Sequence, residues 1–113
     1  MSRGKVVLVP FPFDDLSTLK LRPALCLTDS LGPHQHIVLA FITSITPNPL
    51  EDSDLFLNSS DPNFQQTGLR VSSTLRLHRL MTVTASLIVR EMGTFPSSYM
   101  VQLGERLRKL FQV

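Results

Sequence analysis

The run IVLAFIT, Ile37 to Thr43, is apolar up to its last residue and has the length of a strand. With no polar positions alternating along it, both of its faces have to be covered. It therefore predicts the central strand of a sheet. Lys5 to Pro10 (KVVLVP) is β-branched and apolar, is bounded by Gly4 and a proline pair, and predicts a first strand. Ala24 to Leu27 opens another buried strand, preceded by Arg22 and Pro23. Between these two, Phe13 to Lys20 (FDDLSTLK) is polar and turn-rich, which makes it a connecting loop.

The remaining segments fit the same plan. Leu31 to His36 turns at its Gly-Pro pair, and Thr46 to Ser53, with two prolines and acidic residues, is a loop. Leu55 to Leu57 is a short edge strand. In TLRLHRL, Leu75 and Leu77 alternate with Thr74, Arg76 and His78, which predicts a half-buried strand with a basic outer face. A short turn or one-turn helix follows, then a strand from Ile88 through Arg90 and onward. Pro96 to Val113 differs: Tyr99, Leu103, Leu107 and Leu110 recur at helical spacing, Ser97 or Ser98 can cap the start, and Glu105 precedes Lys109 by four. The expectation is a mainly β (α+β) chain of five to seven short strands, a small antiparallel barrel or half-barrel closed by a C-terminal helix.

A chain of 113 residues, 42% hydrophobic and 18% charged, can bury a core as a single domain over 1–113. No apolar run approaches the roughly 20 residues of a membrane span, and the proline-broken N-terminal run is too short for a signal peptide. A soluble, cytoplasmic protein with no membrane partner is expected. Net charge is +2, but the charges are segregated. Pro62 to Arg90 holds Arg70, Arg76, Arg79 and Arg90 with no carboxylate, whereas Asn48 to Asp61 holds Glu51, Asp52, Asp54 and Asp61 with no basic residue. Such segregation is expected where one face attracts an anion.

Several chemistries find little support in the residues. Cys26 lies in an apolar run with no charged neighbour nearer than Asp29, so it reads as a core thiol. His34 and His36 form a pair in a turn with no third ligand at motif spacing; neither a metal nor any other cofactor is expected. A pair made by His78 with His34 or His36 could act as acid and base on one phosphate, if the fold brings them together. That leaves the arginines. A guanidinium offers five donors in a rigid fork suited to phosphate. Arg22, made extended by Pro23, is either a solvated strand flank or is aimed at something that binds. Thr43 adds a hydroxyl where the central strand leaves the core, a place where a strand-ending threonine is also ordinary. Together such groups could stabilise the charge that builds on phosphate oxygens when RNA is cut by its own 2′-hydroxyl.

The stretch GKVVLVPFPFDDLSTLKLRPALCLTDS, followed in order by IVLAFITS, GLRVSSTLRLHRLMTV and a helix after MGTF, resembles the MazF/PemK-like toxins of bacterial toxin–antitoxin pairs. The resemblance covers nearly the whole chain and is most specific in its first thirty residues. It implies an SH3-like barrel with a packed C-terminal helix, a homodimer, and a metal-independent endoribonuclease that cuts single-stranded RNA to 2′,3′-cyclic phosphate and 5′-hydroxyl ends. It further implies a cognate antitoxin as partner. By position, it implies a catalytic role for Arg22 and Thr43, and RNA contacts from the Phe13 to Lys20 loop and from Ser73, His78 and Arg79. Arg76 joins them by the alternation of its strand alone. Lys5 and His78 stand where the family often carries acidic or amide residues, which favours contacts to phosphate over a base edge. The alternatives are a gyrase poison like the related CcdB toxins, which lack the arginine and its hydroxyl partner, or an inactive SH3-like binding module.

Overall fold

A computed structural model describes residues 1–12 and 19–113 of the chain; Phe13, Asp14 and Asp15 lie outside the described residues. Among the described residues six strands form one antiparallel sheet: β1 (Lys5–Pro12), β2 (Leu19–Cys26), β3 (His36–Thr43), β4 (Asp54–Leu57), β5 (Ser73–Thr84) and β6 (Arg90–Thr94). Their order is β4-β5-β3-β2-β1-β6, a curled half-barrel. The strand built on IVLAFIT lies inside the sheet between β5 and β2, as its two-sided apolar character requires. The short strand at Leu55 begins one residue earlier and forms an edge.

Each face of the sheet carries its own apolar cluster. On one face Val6, Leu25, Ala40, Ile42, Leu55, Leu75 and Leu77 pack with Phe95, Tyr99 and Leu103. On the other, Val7, Val9, Phe11, Ala24, Cys26, Ile37, Leu39 and Val83 pack together, with Phe41 against them. Helix α1 (Ser97–Phe111) covers the first face: Tyr99 and Leu103 are buried, with Leu107 and Leu110 packed beside them. No described helix is long and apolar enough to cross a membrane.

Three local expectations are corrected. Neither Ser97 nor Ser98 caps α1; the N-cap is the extended Pro96, with no side-chain cap. The N–H of Phe95 bonds to the Gly4 carbonyl at 2.7 Å, and that of Tyr99 to the Pro96 carbonyl at 3.0 Å. Docking of Phe95 and Pro96 therefore sets the helix start, and both serines fall within the first turn. Lys109 reaches Asp52 at 3.5 Å and shows no pairing with Glu105.

The third correction concerns β5. Its pairing with β3 jumps from Ala40↔Leu80 to Phe41↔Arg76, leaving Leu77, His78 and Arg79 without partners on β3. A bulge of this kind bends the strand and re-aims its side chains. Leu75 and Leu77 are buried as alternation predicts, but Thr74 is also fully buried and does not join a basic outer face.

Candidate active site

The geometry of the site follows from where the β2–β3 ladder ends. The two strands pair through Cys26↔Leu39, Leu25↔Ala40 and Ala24↔Phe41. The next residue on β2 is Pro23, which has no N–H to donate. The same register carried past it sets Arg22 against Thr43, and here the sheet opens into a cleft of about 100 Å³. Its walls are Arg22, Phe41, Ile42, Thr43, Ile45, Arg76 and Arg79.

Three guanidiniums and one hydroxyl therefore share a single opening. Arg22 is half-buried on β2, opposite Val9 of β1. The Thr43 oxygen accepts the Ile45 N–H at 3.1 Å. That bond occupies a lone pair and leaves the hydroxyl proton available to donate. Arg79 lies over the Phe41 ring, its guanidinium carbon 5.4 Å from the ring centre. Arg76 is held by Asp54: Nε donates to Oδ1 at 3.0 Å and Nη2 to Oδ2 at 3.3 Å. The Asp54 side chain is fully buried, so it cancels one of the three positive charges. The arginine forks that line the cleft are suited to a phosphodiester.

Not all the residues selected from the sequence come here. His78 lines a neighbouring cavity of about 480 Å³ with Glu51, Asp52, Ser53, Arg106, Lys109 and Leu110. Its Nδ1 is 3.5 Å from the Ser53 hydroxyl and 4.0 Å from Asp54 Oδ1. That larger cavity mixes acids and bases, with Asp52 already paired to Lys109, and so offers an anion less than the smaller cleft does. Ser73 is buried and its hydroxyl donates to the Val71 carbonyl at 2.8 Å. Lys20 is exposed on β2 opposite Phe11, two residues before Arg22, and is not among the residues lining the cleft. Phe13 lies outside the described residues.

The bulge explains the sorting along β5. Plain alternation groups Arg76 with His78 and excludes Arg79; three unpaired residues reverse this, so that Arg76 and Arg79 share the cleft. The charge segregation is also modified in space, because β4 pairs with β5 and Asp54 meets Arg76. His78 and His36 do not form a two-histidine centre: His36 pairs with Thr84 at one end of β3, whereas His78 sits in the bulge beyond Ala40. Four residues of strand separate them, roughly 13 Å, too far to share one phosphate. Among the described residues no three of His, Cys, Asp or Glu are grouped to hold a metal ion. Burial pushes the Cys26 thiol up to about 11, so at neutral pH it is a protonated core group. Nothing local in the sequence marks Phe41 or Asp54 as site residues. Their signal, two cross-strand neighbours of one arginine, exists only once strands are paired.

Residues 2–111 match the model of the PemK-like, MazF-like toxins of type II toxin–antitoxin systems. The chain belongs to this family. Among solved structures it is similar to the Mycobacterium tuberculosis toxin MazF-mt6, at 19% identity and a TM-score of 0.74, over 96% of this chain and 97% of that one. It is also similar to an endoribonuclease in complex with its cognate antitoxin from Mycobacterial species, at 14% identity and a TM-score of 0.72, over 100% and 96% of the two chains. A further endoribonuclease from Mycobacterial species matches at 14% identity and a TM-score of 0.71, over 100% and 92%. At such identities the likeness is one of fold. No curated protein is similar enough in sequence to count as a relative. The SH3-like half-barrel with its closing helix is the fold of this family.

Proposed function

We propose that this toxin-family chain is an endoribonuclease that cuts single-stranded RNA in the Arg22–Thr43 cleft. The observation that carries this reading is the convergence of Arg22, Arg76 and Arg79 with the Thr43 hydroxyl at one strand-end opening. The attacking group is the RNA's own 2′-hydroxyl. Its oxygen bonds to the adjacent phosphorus, the bond to the 5′-oxygen breaks, and the 2′ proton is lost as the 5′-oxygen gains one. The products are a 2′,3′-cyclic phosphate and a 5′-hydroxyl, and the step requires no metal ion.

Charge rises on the non-bridging oxygens in the transition state. Arg22 and the Thr43 hydroxyl proton are the donors aimed at it, and loss of one such donor typically costs about 3–4 kcal/mol of barrier. Arg79 holds a neighbouring phosphate. The names of the similar structures, endoribonuclease and MazF toxin, support the endoribonuclease reading. A cognate antitoxin, as in one of those structures, is the natural restraint: an acidic segment laid on the cleft would exclude RNA. The protein acts as a cytoplasmic homodimer in this proposal.

The test is cleavage of a fluorogenic RNA oligonucleotide with EDTA present, with RNA ends mapped after expression without the antitoxin. Wild type should arrest growth and leave 5′-hydroxyl ends, whereas Arg22→Ala should lose two to three decades in rate and remain folded. Full activity in Arg22→Ala removes the cleft from the chemistry.

A further inference from the structure

We infer that Asp54 is a positioning residue for RNA cleavage, setting the Arg76 guanidinium in the cleft; this rests on the endoribonuclease reading. Asp54 opens the edge strand β4 and pairs in register with Arg76 of β5. Its carboxylate is fully buried, one backbone N–H holds it directly, and the backbone that carries it is pinned on both its N–H and its carbonyl. The Glu51 N–H donates to Oδ2 at 2.8 Å, the Asp54 N–H donates back to the Glu51 carbonyl at 3.0 Å, and Arg106 Nε of α1 donates to the Asp54 carbonyl at 3.0 Å. A carboxylate held in this way transmits its position to whatever it grips.

It grips Arg76 side-on, through Nε and Nη2. Two of the five N–H donors are used and three remain, including both on Nη1. Arg76 also lines the Arg22–Thr43 cleft, and its side chain is only 20% exposed. Because its charge is cancelled, it adds little to the attraction of a polyanion. What it adds is a donor held at a set angle beside Thr43, useful only when charge appears on the phosphate oxygens.

A purely structural Asp54, tying an edge strand to its neighbour, leads to different consequences, and Asp54→Asn separates the two. The Glu51 N–H retains the amide oxygen, which turns the amide NH₂ toward Arg76 Nε, donor against donor. The same change removes a negative charge, so simple electrostatics makes RNA bind no worse or better. The positioning role requires kcat to fall by about tenfold or more while KM stays level or drops.

The experiment measures kcat and KM on the RNA oligonucleotide for wild type, Asp54→Asn, Arg76→Lys and the double variant, with thermal melts of each. Lysine keeps the charge but cannot form the two-point grip. The expected result is a kcat loss in both single variants, with the double variant no worse than the weaker single, the coupling of residues that act as a unit. Should Asp54→Asn fail to fold, Arg76→Lys decides alone. Arg76→Lys at wild-type kcat, or Asp54→Asn with a lowered Tm and unchanged kcat, overturns the inference while wild-type cleavage keeps the enzyme reading. Wild type that cuts no RNA removes both.

Discussion

The Arg79 guanidinium lies over the face of Phe41, 5.4 Å from its ring centre, and both side chains line the cleft that holds Arg22 and Thr43. Phe41 in turn lies tilted against the ring of Phe11, which is 1% exposed. An otherwise mobile cation at the rim is thus anchored to the core through a ring. A contact of this type is worth about 0.5–1 kcal/mol when exposed.

In the proposed reading of this cleft, binding and chemistry fall to different residues. Arg79→Ala is expected to weaken binding of an oligonucleotide carrying a 2′-deoxy residue at the cut site, with a salt slope shallower by about 0.7. Phe41→Leu keeps the arginine but removes its platform, and should weaken the same binding about two- to fivefold. In each variant kcat changes less than affinity. A kcat collapse at unchanged affinity would assign Arg79 to the reacting phosphate and not to its neighbour.

A pair of glycines gives opposite outcomes for one substitution. Gly93 of β6 lies so close to the backbone of Gln66 and Thr67 that a β-carbon would collide with it. Backbone cannot swing aside, so Gly93→Ala should cost about 2–3 kcal/mol and lower Tm by roughly 10 °C. Gly104 of α1 has its nearest neighbour at 3.6 Å, the flexible end of Arg108. There Gly104→Ala gains helix propensity and should stabilise by about 0.5–1 kcal/mol. Differential scanning fluorimetry reads both signs, and a neutral Gly93→Ala would mean that the short 3-10 turn at Phe64–Thr67 does not press on β6.

The general plan of this fold is legible along the chain because its strands bury residues in ways that leave local marks. Ile37 to Thr43 is apolar on both faces and sits inside the sheet; Leu75 and Leu77 alternate and are buried; Tyr99 and Leu103 recur at helical spacing and pack on it. The site is legible only in part. Arg22 is marked by the proline that follows it, and that same proline ends the ladder and opens the cleft. The bulge at Leu77 to Arg79 leaves no local mark, since its cause is a change of register between strands distant in sequence. Arg79 enters the cleft and His78 leaves it for that reason, and Asp54 meets Arg76 only through the pairing of β4 with β5.

Thr74 faces Thr43 across β3 and β5, is fully buried, and has no hydrogen-bond partner for its hydroxyl among the described residues. A buried hydroxyl without a partner carries a desolvation cost of about 1–3 kcal/mol. Valine matches its shape without the polar atom. Thr74→Val should therefore raise the midpoint of urea unfolding, by about 1 kcal/mol of stability, with RNA cleavage unchanged. A clear loss of stability would show that the hydroxyl is bonded in solution.

Cys26 supplies a test of the core in the alkaline range. It is 1% exposed, and burial raises its pKa from 9.0 to about 11. The native state therefore keeps the proton that the unfolded chain gives up near pH 9. Between about 9 and 11 the folded form binds more protons than the unfolded one, so stability from this group, complete below pH 9, is lost as pH rises. Tyr99, also raised by burial and by Asp61, to about 12, begins to contribute with the same sign above its ordinary value of 10.0. The window from pH 9 to 10 thus isolates the thiol. Urea unfolding of wild type and Cys26→Ala should show a stability gap that is constant from pH 7 to 9 and narrows above it. Parallel curves through pH 10 would mean that the thiol titrates alike in both states, and that the face of the sheet beneath the cleft admits water.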